Sequence, residues 1–312
     1  MENVKTGIAI IGAGACGLYL AIKVAEKGVT DLVVLEKEKD VGGILRVLDL
    51  VKIDVPDLGG LVSPKEFMSY LMEKTNELGI RVYTETTAID LKTGFHVISV
   101  NPRSGVIDFE AEKVIIATGG REVNQYDLLI TGTRPAGIFT ALQALELMAE
   151  FKKKIGRTIV IYGKNDIVLE VALKALELGS QIKTIITNKD EKVFNPELLE
   201  MLKEKNIELI ENSEVIEVAG LKRLESIVVK NIETEGTTDI KCDTLVLSHG
   251  FLPDLTLFQR IGAKIDLVTK SPFLNINMET RVKNLFACGY AAKPYDDLGK
   301  ALRDISKMLP RL

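Results

Sequence analysis

The stretch "IAIIGAGACGLYLAI" begins at Ile8 and breaks an apolar run with Gly12, Gly14 and Gly17. Glycine weakens strands and helices alike, so a cluster of them inside a buried segment needs a backbone reason. Before the cluster, "TGIAIIG" reads as a short buried strand rich in isoleucine. After it, "CGLYLAIKVAEKG" reads as an amphipathic helix with Gly28 as its C′ residue. "DLVVLEKEKD" then reads as a second apolar strand ending in Glu36. Strand, glycine turn, helix and strand make a βαβ unit. In such a unit the first glycine permits the tight turn and the second lets the backbone approach a pyrophosphate. The third lets the helix sit close to the strand, and the helix N-terminus faces the phosphates. Glu36 falls about 20 residues beyond Gly17, where a carboxylate accepts ribose hydroxyls. The pattern points to a bound dinucleotide. The first unit alone does not separate NAD from FAD.

Composition narrows the class. The chain has 312 residues, 46% apolar and 27% charged, with a net charge of −4. That length allows two domains, and no basic excess points to nucleic acid. Cys16, Cys242 and Cys288 form no CxxC pair and no metal-binding spacing. With no signal-peptide pattern at the N-terminus, a reduced, cytoplasmic protein is expected. Residues 7–25 are apolar, but their glycines and the polar residues that follow argue against a membrane span.

Three later segments separate the cofactors. "EKEKDVGGIL" sets Gly42 and Gly43 just after the acidic strand end. "EKVIIATGG" (112–120) and "METRVKNLFACGY" (278–290) each read as a strand ending in a small-residue turn. This order of pieces resembles the two-dinucleotide-binding-domain flavoproteins, the pyridine nucleotide–disulfide oxidoreductase superfamily, at the length of thioredoxin reductase. The resemblance spans nearly the whole chain. It implies an α/β fold of two Rossmann-like, doubly wound, three-layer domains. The FAD domain would be discontinuous, residues 1–120 plus 255–312, with a nucleotide-binding-like domain, residues 121–254, inserted.

The resemblance also implies where FAD would lie. Its pyrophosphate would rest on Gly12, Gly14, Ala15, Cys16 and Gly17, and its adenosine ribose on Glu36 with Lys37 beside it. The isoalloxazine would lie between Gly43, next to Gly42 and Ile44, and Gly289. Ala88 falls where the superfamily's backbone contacts adenine, and Thr118 and Gly119 close the domain. The late motif usually continues Gly-Asp or Gly-Asn, whereas here Gly289 is followed by Tyr290, a bulkier residue that either hydrogen-bonds the cofactor or partly blocks the site. The tail "YDDLGKALRDISKML" reads as a helix whose start, with Asp296 and Asp297, would face the flavin; capping is the plainer role for both carboxylates.

The segments "GTRPAGIFTALQALELM", "DTLVLSHGFLPD" and "KSPFLNINMETRVKNLFACG" resemble a branch without the disulfide. Its members are FAD/NAD-linked subunits found with amine, proline or glycerol-phosphate dehydrogenases. A dehydrogenase partner subunit, a small iron–sulfur protein and an oligomer of like or unlike chains are the partners this implies. The inserted domain holds only Cys242, so a thiol relay of the thioredoxin reductase kind is not available. Cys16 and Cys288 read as small buried residues beside tight turns.

The inserted domain carries a second strand–turn–helix, "GRTIVIYGKNDIVLEVALKALELG", so the chain contains an internal repeat. Of the glycine pattern only Gly163 survives, followed by Lys164, Asn165 and Asp166. Asn165 would crowd a pyrophosphate, and Asp166 suits the helix dipole but repels a phosphate. The next strand, "QIKTIITNKDEK", offers no acidic residue at its Thr187–Asn188 end. NAD(P)H use is therefore open. Three functions fit: a flavin electron-transfer subunit of a heteromeric dehydrogenase, an autonomous NAD(P)H-dependent flavin reductase or oxidase, and a non-catalytic ligand or partner platform.

The remaining candidates carry less chemistry. His96 reads as a half-buried strand residue, and His249 as a turn residue that could also face the flavin as acid or base. Arg134 would bind an anion or hold the domains together. Phe67, Met68, Leu71 and Met72 read as core positions of a helix with Ser63 as cap and Pro64 in its first turn, and "EFKKKIG" as a solvated helix end.

Overall fold

A computed structural model describes residues 2–188 and 194–312. The first strand, β1 (Glu2–Ile11), is longer than its apolar sequence suggests. Its polar first half is held by pairing with Gly105–Ile116 along nearly its whole length. α1 (Ala15–Ala25) follows the glycine turn, and β2 (Leu32–Leu35) returns parallel to β1. Nine of the eleven residues of α1 are buried, so this helix is closer to buried all round than amphipathic. α1 stops at Ala25 with Glu26 as its cap, so Gly28 lies one residue beyond C′; its amide still bonds the Ala25 carbonyl at 2.9 Å.

The chain clusters into two compact units: Met1–Arg46, Lys52–Arg121 and Phe251–Leu312 in the first, Val47–Val51 and Glu122–Gly250 in the second. The first unit holds one sheet ordered Arg81–Tyr83, β2, β1, Gly105–Ile116, His96–Asn101 and Thr87–Lys92. Strand Gly105–Ile116 changes partner along its length. Its first half pairs antiparallel with His96–Asn101, and its last residues pair parallel with Leu285–Ala287. That late strand spans only three residues, because residues 278–284 turn back onto it instead of extending it. α1 packs against helices Pro64–Glu77 and Leu298–Ile305. The parallel strands are apolar on both faces, as covered strands must be.

Helix Pro64–Glu77 begins with a full capping box: the Ser63 hydroxyl accepts the Glu66 amide, and the Glu66 carboxylate accepts the Ser63 amide. Phe67 and Leu71 are fully buried, Met68 is half-buried, and Met72 is exposed, so the apolar stripe is narrower than its sequence. The final helix is Leu298–Ile305, shorter than residues 295–309.

The second unit has a five-stranded parallel sheet ordered Ile138–Thr140, Thr244–Ser248, Thr158–Gly163, Gln181–Ile186 and Leu209–Ile210. A meander of Ser213–Ala219, Ser226–Asn231 and Thr237–Lys241 shares one apolar cluster with Val160, Tyr162, Ile186, Leu245 and Leu247 of the parallel strands. Helix Ile167–Glu177 follows Thr158–Gly163 as α1 follows β1. Strand Gln181–Ile186 ends before Thr187; residues 189–192 of the expected strand lie outside the described residues. The charge run after helix Ala141–Ala149 is solvent-exposed. Among the described residues no helix is long and apolar enough to cross a membrane.

Candidate functional site

The three glycines of the first turn have three different physical situations. Gly12 has φ of 112°, and a β-carbon there would overlap the Ala117 carbonyl oxygen. A β-carbon on Gly17 would overlap the Gly12 carbonyl oxygen, so α1 sits directly on the turn. Gly14 faces open space: a β-carbon there meets nothing within 4 Å. Gly14 is also the N-cap of α1 and gives it no side-chain cap. The amides of the first helical turn, including Ala15 and Cys16, therefore present uncapped donors beside an opening without side chains. That arrangement can take a diphosphate.

Glu36 directly follows β2 and is buried. Its two carboxylate oxygens accept the amides of Ala13 and Glu38, each at 2.9 Å. Each oxygen keeps a second lone pair for another donor. The carboxylate thus ties the glycine turn to the strand end. Lys37 is exposed and paired with Glu38 at 3.5 Å. The Glu36 carbonyl accepts the Thr86 amide at 2.7 Å, which brings Ala88, at the start of Thr87–Lys92, close along the chain to this end.

The other small-residue turns converge on the same place. Gly42 bridges Gly14, and its amide bonds the Ala13 carbonyl at 2.8 Å. Gly43 and Ile44 open a 3-10 turn, Gly43–Arg46. Thr118 and Gly119 follow Ala117, whose amide bonds Ile11 at 2.8 Å; the Thr118 α-carbon lies against Gly12. Gly289 has φ of 62°, and a β-carbon there would lie 3.0 Å from the Cys16 sulfur. The turns after β1, Gly105–Ile116 and Leu285–Ala287 are therefore gathered at the carboxyl ends of parallel strands, where open α/β sheets place their ligands.

Tyr290 has a packing role. Its ring lies 4.8 Å from Phe251 and 6.0 Å from Tyr295, between centroids. Burial pushes its phenol well above the ordinary range. At the last helix the two acids part company. Asp297 is the N-cap and accepts the Lys300 amide at 2.8 Å, whereas Asp296 pairs with the Lys300 ammonium at 2.7 Å. Cys16 and Cys288 are free and buried. Burial pushes the Cys16 thiol up to about 12 and the Cys288 thiol well above its ordinary value.

The corresponding turn of the second unit is built differently. A β-carbon on Gly163 would lie 2.5 Å from Val168 and 2.6 Å from the Ser248 carbonyl oxygen. Asn165 does not enter the left-handed region. Its side-chain oxygen accepts the Ser248 hydroxyl at 2.7 Å, so a side chain stands where the first unit has none. Asp166 is the N-cap position of helix Ile167–Glu177 but caps nothing; its carboxylate accepts the Asn195 amide at 2.7 Å. Burial raises Asp166 above the usual carboxylate range. The three side chains after Gly163 thus stand around a turn without a glycine opening, a poor match for a diphosphate.

His249 is buried edge-on against Tyr162, at 4.1 Å between centroids, and neither ring nitrogen has a hydrogen-bond partner. Burial pushes its imidazole down to about 4, with Lys164 adding to the shift. His96 pairs with the buried Asp108 at 2.9 Å. Arg134 stacks over the Tyr126 ring at 5.3 Å.

The sequence reading missed Glu170. It is buried within the apolar helix Ile167–Glu177 and accepts the amides of Asp49, Leu50 at 3.3 Å and Val51 at 3.4 Å. This pairing accounts for the membership of Val47–Val51 in the second unit. Burial raises its carboxyl above the usual range, against those amides. The signal was a lone acid between Leu169 and Val171 on an otherwise apolar stretch.

Residues 6–304 match the family described as pyridine nucleotide-disulphide oxidoreductase. The chain belongs to that family. It is an FAD-dependent oxidoreductase. One similar relative in the family is ferredoxin–NADP reductase 1 of Lysinibacillus sphaericus, 24% identical over 297 residues, or 92% of this chain and 82% of that protein. Among solved structures, thioredoxin reductase of T. acidophilum superposes with a TM-score of 0.75 at 19% identity, covering 98% of this chain and 97% of that one. L-proline dehydrogenase of P. horikoshii gives a TM-score of 0.68 at 21% identity over 99% of this chain and 54% of that one. At these identities the structural likeness is one of fold.

Proposed function

We propose that the first unit holds FAD along the convergent turns and exchanges electrons with a separate redox protein, as a flavin electron-transfer subunit of a cytoplasmic dehydrogenase. In this reading the diphosphate lies against Gly14 and the α1 amides, Glu36 accepts the adenosine ribose, and the flavin ring lies between Gly43 and Gly289. The cofactor supplies the redox chemistry. The chain supplies uncapped amides, a buried carboxylate and a side-chain-free opening. One observation carries the reading: the contrast between the open turn at Gly14 and the Asn165–Ser248 turn of the second unit. The first suits a dinucleotide, and the second speaks against NAD(P)H as donor.

The test is the visible spectrum of the purified protein, followed by anaerobic titration. A flavin spectrum that bleaches with dithionite but not with NADH or NADPH is the expected result. A colourless protein that gains no thermal stability with FAD sinks the reading. Rapid bleaching by either nicotinamide supports the second reading, an autonomous NAD(P)H-dependent reductase, which the ferredoxin–NADP reductase relative favours.

A further inference from the structure

We infer that the hairpin formed by Ile265–Asp266 and Ser271–Pro272 is the docking surface for a small acidic redox protein. The inference rests on the function proposed above and adds the place and chemistry of the partner. At the hairpin tip Leu267 and Val268 are 86% and 90% exposed. The tip is ordered: the Asp266 carboxylate accepts the amides of Val268 and Thr269 at 2.8 and 3.3 Å, and the Thr269 and Ser271 hydroxyls meet at 2.7 Å. Two branched side chains are thus held in water by a fixed backbone, largely uncovered among the described residues, and Ile276, just beyond the hairpin, is 85% exposed.

Cations gather at the base of this hairpin. The Lys264 ammonium and the Arg281 guanidinium each lie 5.3 Å from the centroid of the exposed Phe273 ring. From Arg260 to Lys283 the chain carries five cations and two acids. Of the two acids, Asp266 lies at the surface with its carboxylate bonded to the hairpin amides, and the buried Glu279 accepts the Asn284 amide and the Asn275 side chain. The charge of this segment is predominantly cationic on a chain whose net charge is −4. An apolar tip with ring-anchored cations at the base of its hairpin complements an acidic protein surface, and such a surface gains encounter rate from the field. The few apolar side chains fall short of the core of a stable dimer and suit a transient electron-transfer encounter, the small end of the interface range.

The surface also leads to the candidate flavin crevice. Ile276 lies two residues before Met278, whose carbonyl accepts the Ala287 amide at 3.0 Å. Ala287 in turn lies two residues before Gly289. The segment that carries Ile276 is thus tied by its backbone to the strand that leads into Gly289.

The test is calorimetric titration of the flavin-loaded protein with an oxidised acidic [4Fe–4S] ferredoxin as probe, at low and high salt. Binding should weaken with salt. The double variant K264E/R281E should weaken it by at least about tenfold, and L267S/V268S by several-fold, with thermal midpoints unchanged because all four side chains lie at the surface. Absence of ferredoxin binding, unaltered binding by both variants, or equal binding of basic cytochrome c overturns the inference. So does conversion of a dimer to a monomer by L267S/V268S in sedimentation, or loss by that variant of binding to anionic vesicles. A protein that holds no FAD yet binds the ferredoxin with the stated salt and variant dependence sinks the proposed function and supports the docking surface; one that holds FAD and binds no ferredoxin does the reverse.

Discussion

Gly17 sits so close beneath Gly12 that a β-carbon on Gly17 would overlap the Gly12 carbonyl oxygen, while Gly14 between them has open space. Two substitutions should therefore separate folding from binding. Gly17→Ala gains helix propensity of about 1 kcal/mol but must push α1 off the turn, at a larger cost of about 1–3 kcal/mol. Its urea midpoint should fall. Gly14→Ala should keep the wild-type midpoint within about 0.5 kcal/mol, because Gly14 has an extended φ of −75° and no neighbour to strike. Its FAD affinity, measured by flavin fluorescence, should nevertheless drop at least tenfold, about 1.4 kcal/mol. Equal affinity would place the diphosphate elsewhere.

Glu36 links the glycine turn and the end of β2 through one carboxylate. Glu36→Gln keeps a single acceptor oxygen and turns an amide group toward a backbone donor, either Ala13 or Glu38. The buried unpaired donor should cost about 1–3 kcal/mol in denaturant unfolding. FAD affinity should fall beyond that of a surface control such as Glu38→Gln.

His249 should make the second unit acid-sensitive. Its imidazole is held down to about 4 by burial and Lys164, against an ordinary value of 6.5. Between those values the unfolded chain binds the proton and the folded chain does not. Stability is therefore complete above about pH 6.5 and falls as the pH drops toward 4, by about 3 kcal/mol in all. His249→Leu should flatten that part of the stability profile. It should not lower stability at neutral pH, because it removes two unpartnered nitrogens. An unchanged profile would mean that the ring is hydrated.

Glu170 should govern how firmly Val47–Val51 is held. Glu170→Ala frees the amides of Asp49, Leu50 and Val51. Their hydrogen exchange should accelerate, with a stability loss of about 1–3 kcal/mol. Glu170→Gln keeps an acceptor and should fall between. Unchanged exchange at these three amides would dismiss the tether.

The second turn offers the reverse experiment. Asn165→Gly removes the side chain bonded to Ser248, and Lys164→Gly clears its neighbour. The double variant should gain NADH or NADPH binding by saturation-transfer NMR if those side chains are what close the turn.

The local pattern was legible in the sequence wherever one requirement had one residue type to meet it. A bend that lets amides approach a phosphate needs glycine, and a strand covered on both faces needs an unbroken apolar run, so residues 8–36 carried their own structure. The acidic end at Glu36 and the Ser63 cap were readable for the same reason. The sequence did not say that Tyr290 packs between Phe251 and Tyr295, that Asn165 bonds Ser248, or that Glu170 holds Val47–Val51. Each of these joins residues distant along the chain, and burial gives each its energy. A side chain alone does not reveal which partner removes it from water. By itself the sequence determined the dinucleotide-type turn and the α/β class. The sequence also showed that the second turn had lost its glycines; only the tertiary structure decided what stands in their place, Asn165 held by Ser248, because that depends on what the neighbouring strand brings against the turn.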